Sequence, residues 1–316
     1  MKLVNTVTGS VSSSELGFTL SHEHIAMVSS AMRFAFPGWF DFDGVLKQAV
    51  ESVKKAMAFG VRTIVDATPI NLGRDVTLLR AVSEQTGVNI ICATGFYYQE
   101  RPFFNINSFH PDRLAEIIAS ETVNGIQGTD IKPGIIKCAT DGEMTPLGEL
   151  LIRAAARAHR LCGLPIMTHA SASTRAGLRQ QRIFKEENVD MNRVIIGHCD
   201  DTFDMEYILE ILKNGSYAGF DRIGFDGAGN ISRHAGDIEN AVSAGFGKRI
   251  VMGHDSSVYC DCDCITADIP PIRDGFPEWN LRTIPEKVLP EFRRMGFSEE
   301  QITDLTTNNI RDFFGN

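Results

Sequence analysis

The chain has no run of 18 apolar residues, so no membrane-spanning helix is expected. Its first residues, Met1-Lys2-Leu3-Val4-Asn5-Thr6, carry one basic residue with no apolar segment behind it and do not read as a secretory signal. Positive charge is also short: 31 Lys and Arg against 40 Asp and Glu give a net charge of -9 and a pI of about 5.4. That argues against nucleic acid or an anionic membrane surface as the main partner. The seven cysteines are odd in number and scattered, which fits reduced thiols in a cytoplasm better than a disulfide framework. The glycine fingerprint of dinucleotide binding is missing after the first apolar strand, which weakens an open doubly wound sheet.

What remains is an ordinary globular composition over 316 residues, 43% hydrophobic and 22% charged, long enough to bury a large core. After a polar N-terminal hairpin in residues 1–16, short apolar or β-branched runs alternate with longer amphipathic segments. The predicted strands are 18–22, 63–67, 89–93, 134–138, 165–169, 194–198, 217–221 and 250–255. Between them, Leu46, Ala49, Val50, Val53, Ala56 and Met57 form one apolar helical stripe, with Asp43 as cap and Gly60 beyond its end. Thr145-Pro146 opens another helix that Gly163 closes, and a last helix is expected near 298–306. Eight strand–helix units with no break in composition predict one domain over 1–316, a (β/α)8 TIM barrel preceded by a short hairpin.

In such a barrel, chemistry gathers at the C-terminal strand ends. There the sequence puts His22 and His24, Asp66, Tyr97 and Tyr98, Lys137, His169, His198, Asp221 and Arg222, and Asp255. His22 and His24 fall on one face of a strand, with Glu23 on the other. Four of the eight histidines share one mouth. Imidazoles and carboxylates suit zinc, manganese, cobalt or iron(II). Five such ligands, His22, His24, His169, His198 and Asp255, exceed what one open site takes, which points to a pair of ions sharing a bridging anion. Strand 4 offers no carboxylate, only Lys137, whose amine would become anionic on carboxylation by carbon dioxide.

The segments Gly17-Phe18-Thr19-Leu20-Ser21-His22-Glu23-His24, Gly134-Ile135-Ile136-Lys137, Thr168-His169, Gly197-His198 and His254-Asp255 together resemble the phosphotriesterase family of the amidohydrolase superfamily. The resemblance implies that His22, His24 and Asp255 hold a buried metal and His169 and His198 a more exposed one, with N6-carboxylated Lys137 between them. The two ions are expected to be divalent, zinc first, with cobalt, manganese or iron as alternatives. Ala93-Thr94-Gly95-Phe96-Tyr97-Tyr98 and Gly219-Phe220-Asp221-Arg222-Ile223-Gly224 resemble the family's lactonase branch, as does the short segment between strands 7 and 8. This implies hydrolysis of a lactone or other ester by a metal-bridging hydroxide, with weak action on organophosphate triesters. Asp255 would take the proton, Tyr97 would aid the carbonyl oxygen, and Arg222 and Tyr98 would contact substrate. A homodimer is implied by the same likeness. The alternatives are a hydrolase of another carboxylic ester or phosphorylated sugar lactone, a true phosphotriesterase, and a metal-containing barrel that only binds its ligand.

Other conspicuous residues have plainer expected roles. Glu23 reads as a wall residue and His254 as a packed, hydrogen-bonded histidine. His110, His159 and His234 read as surface residues, and Asp66 as a packing group or a support for the ligands. Arg222 also reads as an ion-pair partner of a nearby acid. Cys260, Cys262 and Cys264 lack a second ligand pair and read as free thiols in a loop unlike lactonase loops. Arg101-Pro102-Phe103-Phe104 reads as loop packing.

Overall fold

The computed structural model describes residues 2–98, 110–225, 231–261 and 276–316. Two short strands, β1 (Leu3–Thr6) and β2 (Gly9–Ser12), form the expected antiparallel hairpin. Nine further strands follow: β3 (Thr19–Met27), β4 (Thr63–Asp66), β5 (Asn89–Gly95), β6 (Ile135–Ala139), β7 (Ile166–His169), β8 (Val194–Ile196), β9 (Tyr217–Phe220), β10 (Ile250–Met252) and β11 (Ser257–Cys260). They form one parallel sheet in the order β10-β9-β8-β7-β6-β5-β4-β3-β11. Helices α1 (Ser30–Ala35), α2 (Phe42–Met57), α3 (Val76–Thr86), α4 (Pro111–Asn124), α5 (Pro146–Cys162), α6 (Ala176–Glu186), α7 (Met205–Lys213) and α8 (Ile231–Ala241) surround it. No helix among the described residues is long and apolar enough to cross a membrane.

The sheet curls until its two ends meet at β3. Ser21 Oγ donates to Met252 O (2.8 Å), Asp255 N to His22 O (2.9 Å) and His24 N to Ser256 O (2.9 Å). The architecture is α/β and TIM-like. It corrects the expectation of eight strands, because the eighth segment is interrupted. Regular pairing stops at Met252 and resumes at Ser257, where β11 pairs with β3. Asp255 lies between them at φ 51°, a left-handed conformation that breaks a strand.

Side chains alternate between two cores. Val65, Ile91, Ala93, Ile135, Met167, Ile195, Tyr217 and Val251 pack inside the curl, with Leu16, Phe313 and Phe314 beneath them. Their neighbours Ile64, Ile90, Cys92, Ile136, Ile166, Val194, Ile196 and Ile250 pack outward against the helices. This period of two decides which later residues face the interior. Counting on from Ile135, Met167 and Tyr217 brings Lys137, His169 and Asp221 to the inner face. His198 is out of step with inward Ile195, and its φ of 58° breaks the alternation.

Two helix starts test the expected caps. Thr145 caps α5 through Gly148 N, Pro146 is its first residue and Gly163 closes it at φ 72°. α2 starts earlier than expected: Asp41, not Asp43, caps it through Gly44 N, leaving Asp43 inside the first turn. There its charge still favours the helix N-terminus.

Candidate metal centre

Asp221, fully buried at the end of β9, organises two of the histidines. Its Oδ2 lies 2.7 Å from His22 Nδ1, and its Oδ1 lies 2.8 Å from His198 Nδ1 while also accepting His198 N at 2.7 Å. A carboxylate only accepts, so both Nδ1 atoms carry protons, and in the neutral ring each Nε2 is the atom left to accept or to ligate. Burial would raise the Asp221 carboxyl, but the His198 and His22 rings outweigh it and hold it well below the carboxylate range. Burial, then Lys137, pushes His22 down to about 4, so its ring is neutral at ordinary pH.

His24 is oriented differently. Its Nδ1 meets Thr68 Oγ1 at 2.8 Å and its Nε2 meets Asp255 Oδ1 at 3.0 Å. Thr68 N donates to Asp66 Oδ1, and Asp66 Oδ2 accepts Ile25 N at 2.7 Å. Asp66 thus supports His24 from the adjacent strand, one of the two roles expected for it. Asp255 Oδ1 is also 3.2 Å from His22 Nε2. Burial would raise Asp255, yet His22 and His198 hold it well below the usual range.

The nitrogens and oxygens left over fit a divalent cation. His22, His198 and Asp255 each offer one ligand atom within 4.8 Å of the others. This cluster takes a member from each of the two ligand sets that the resemblance implies. His198 Nε2 is buried without a hydrogen-bond partner among the described residues. A buried imidazole nitrogen with no hydrogen-bond partner among the described residues, beside an ionised carboxylate, fits the donor set of a divalent metal site. Lys137 Nζ sits 2.8 Å from His22 Nε2, and burial lowers its amine to about 8.

Above these groups opens a cavity of about 370 Å³. Tyr97, Tyr98, Arg222, Met27, Leu72 and Trp279 contribute to its wall. The Tyr97 hydroxyl lies 3.4 Å from His169 Nδ1, and Tyr98 packs 4.6 Å from the Tyr97 ring. His169 packs edge-on to His198 at 4.5 Å; burial, then the His198 ring, pushes its pKa well below the ordinary value. Arg222 Nε donates to Asp255 Oδ2 (3.1 Å) and its NH1 to Asp201 (3.0 Å). It therefore makes the anticipated ion pair while facing the cavity. Of the eleven residues placed at strand ends, His22, His24, Tyr97, Tyr98, Lys137, His169, His198, Arg222 and Asp255 line one cavity, while buried Asp66 and Asp221 are not part of its lining.

Several surroundings differ from expectation. The first strand runs past His22 to Met27, so both histidines lie mid-strand, with a register shift between Leu20 and Glu23. His234 is not on the surface but 1% exposed, 3.1 Å from buried Asp200. His159 is half-buried on Leu164 O, whereas His110 is exposed. Residues 257–260 form a strand, so Cys260 is buried rather than in a loop. Cys262, Cys264 and residues 101–104 lie outside the described residues. Sequence reasoning missed the orienting role of Asp221, although its inward parity at a strand end was a usable signal. It gave no sign of Asp200, whose carboxylate accepts the Asp221 and Arg222 backbone N–H groups.

The profile of the phosphotriesterase family matches residues 2–314. A phosphotriesterase homology protein of Mycobacterium tuberculosis is 36% identical over 327 residues, covering 99% of this chain and 98% of that protein. An aryldialkylphosphatase of Saccharolobus solfataricus is 37% identical over 307 residues, covering 96% and 97%. An N-acetyltaurine hydrolase of Xenopus tropicalis is more distant, 27% identical over 291 residues, covering 80% and 83%. Over essentially its whole length, the chain belongs to the phosphotriesterase family.

Proposed function

We propose that this chain is a metal-dependent hydrolase that opens lactones and acts weakly on organophosphate triesters. The observation that carries the reading is the cluster of His22, His198 and Asp255 at the foot of the cavity, with His198 Nε2 buried without a hydrogen-bond partner among the described residues and with Tyr97 and Arg222 on the cavity wall. His22, His24 and Asp255 would hold one divalent ion and His169 and His198 a second, zinc in the first instance or cobalt, manganese or iron. When bound, such ions supply Lewis acidity that makes water a nucleophile near neutral pH and stabilises charge developing on a carbonyl or phosphoryl oxygen.

The chain's own residues supply the rest. Lys137, lowered to about 8, has an accessible neutral amine. That nitrogen would bond the carbon of carbon dioxide and release one proton, giving an anionic N6-carboxylysine able to help hold divalent ions. Asp255 stays ionised and takes the proton of the attacking water. Arg222 holds the Asp255 carboxylate in place and orients the polar part of the substrate. The Tyr97 hydroxyl donates to the substrate carbonyl, and Tyr98, Met27, Leu72 and Trp279 supply apolar wall for the rest of the substrate.

Turnover of γ- and δ-lactones, acyl-homoserine lactones, sugar lactones and paraoxon-type esters by the zinc-loaded enzyme tests the reading. Lactone hydrolysis is expected, with Asp255→Asn losing it by about 10²-fold or more. Wild-type rates in that variant refute its proton role. A metal content other than about two ions per chain sinks the paired site. A second reading, a true phosphotriesterase, is favoured by the likeness to the aryldialkylphosphatase and wins if only triesters turn over. Turnover of other carboxylic esters or phosphorylated sugar lactones alone moves the substrate class, and two bound ions with no turnover leaves a ligand-binding barrel.

We also take the curl as a closed (β/α)8 barrel, with β10 and β11 as the two halves of its eighth strand. The hydrogen bonds from both to β3 support this. A single domain over 1–316, a cytoplasmic location and a homodimer complete the proposal; sedimentation tests the last.

A further inference from the structure

The histidines of the site are not anchored alike. His22 and His198 are each fixed through Nδ1 to Asp221 at 2.7 and 2.8 Å, and His24 to Thr68 at 2.8 Å. Among the described residues, the His169 ring nitrogens have only the longer 3.4 Å contact with the Tyr97 hydroxyl, and the ring otherwise packs against Tyr97, Tyr98 and His198. Its backbone is held instead. The β6–β7 ladder ends at the pair Ala139↔His169, and just beyond it Thr140 N donates to His169 O at 3.1 Å. The second lone pair of that carbonyl receives Gln180 Nε2 at 2.8 Å, and the same amide nitrogen donates to Thr140 Oγ1 at 2.7 Å.

Gln180 lies on α6 and is 0% exposed. His169 O accepts only, so the amide must present its nitrogen there, and its orientation is forced. Its Oε1 is left buried without a partner among the described residues. An orphaned buried acceptor costs about 1–3 kcal/mol, so packing alone would favour an apolar side chain here. The same helix braces the β6 exit again: Arg179 donates to Gly142 O, as does Thr174 just before the helix. These contacts join the end of the strand carrying Lys137 to the end of the strand carrying His169.

We infer that Gln180 is a positioning residue: through the His169 carbonyl and the Thr140 hydroxyl it fixes the backbone that aims His169 into the cavity. The inference rests on the two-ion reading above. Because the other three rings are anchored independently, the effect of Gln180 is confined to the ion that His169 would hold.

The test uses the full chain loaded with two equivalents of zinc. Gln180→Met removes both donors at similar volume, and Thr140→Val removes one acceptor. The readouts are zinc release into excess chelator, melting temperature of the metal-free protein, and kcat and KM on the best substrate of the panel. In Gln180→Met, one equivalent should leave about 10–100-fold faster while the other keeps its wild-type rate, with Thr140→Val intermediate. kcat should fall about tenfold with KM changed less than about threefold. Wild-type release of both equivalents in Gln180→Met overturns the inference. So does equal acceleration of both alongside a lowered melting temperature, which assigns Gln180 to folding alone. A wild-type chain holding one equivalent sinks the two-ion reading separately, and unchanged release of that one in Gln180→Met then sinks the role of Gln180. Release needs no substrate, so failure of the lactone assignment leaves this result standing.

Discussion

Replacing Glu23 with glutamine should destabilise the protein by about 2–4 kcal/mol. Glu23 is fully buried on β3, and four donors converge on it from the interrupted eighth segment. Oε1 accepts His254 N at 2.9 Å and His254 Nδ1 at 2.6 Å; Oε2 accepts Ser256 N at 3.2 Å and Ser256 Oγ at 2.9 Å. His254 Nε2 in turn accepts Ile284 N at 3.0 Å, which fixes the proton on Nδ1. A glutamine keeps one acceptor. With its oxygen toward His254, its amino group meets Ser256 N–H, donor against donor, while the Ser256 hydroxyl can turn and accept. One orphaned buried N–H costs about 1–3 kcal/mol, and loss of the charge on the two His254 bonds adds about 1 kcal/mol each. Removing a buried charge returns part of that sum. The measurement is the shift in urea midpoint of the metal-free protein at unchanged slope. Glu23→Leu, which strands all the fixed donors, should be worse than Glu23→Gln. A Gln variant within about 0.5 kcal/mol of wild type, or a Leu variant milder than Gln, refutes the claim that this carboxylate ties the eighth segment to β3.

Two further outcomes follow from other parts of the fold. Gly95 sits at φ 102°, and a Cβ there would lie 2.0 Å from Lys137 O. Gly95→Ala should therefore displace the β6 backbone, lower stability by about 4 kcal/mol or more and reduce metal retention; a normal melting temperature with full metal content contradicts this. Glu187 receives Arg157, Arg160 and Arg153, which tie α5 to the end of α6, and the Arg157 bond foremost lowers its carboxyl from 4.5 to about 2. A folded pKa below the unfolded one means that the stabilisation is present above about pH 4.5 and disappears as pH falls toward 2. The ceiling is about 3 kcal/mol, and solvent screening of these partly exposed arginines reduces it to about 1–2 kcal/mol. Glu187→Gln should lose that amount at pH 7 and nothing near pH 2 by thermal melts; a pH-independent loss rules out the ion pairs as its source.

The strand-end residues were legible because the side-chain alternation of a curled parallel sheet is local and periodic. A strand buried on both faces alternates inward and outward residues, so Ile135 predicts Lys137 and Met167 predicts His169. The Thr145, Pro146 and Gly163 boundaries were equally readable, since caps act within one turn. His198 shows where periodicity stops: its parity points outward, and only the left-handed backbone at φ 58° brings it in. The same conformation at Asp255 divides the eighth segment, which no hydrophobic pattern announces. His234 read as a surface residue because a helix pattern does not say which buried acid lies across from it.

By itself, the sequence determined the repeating strand–helix order, a charge balance that argues against polyanionic partners, and the roster of imidazoles, carboxylates and one lysine read at strand ends. Those follow from residue type and from periods of two and 3.6. Only the tertiary structure decided how that roster becomes a site. Asp221 selects the tautomer of two rings from different strands, Asp66 reaches His24 through Thr68, and Gln180 steadies His169 from a helix. These groups are separated by up to 199 residues between His22 and Asp221, and a hydrogen bond depends on distances of about 3 Å that no local pattern encodes.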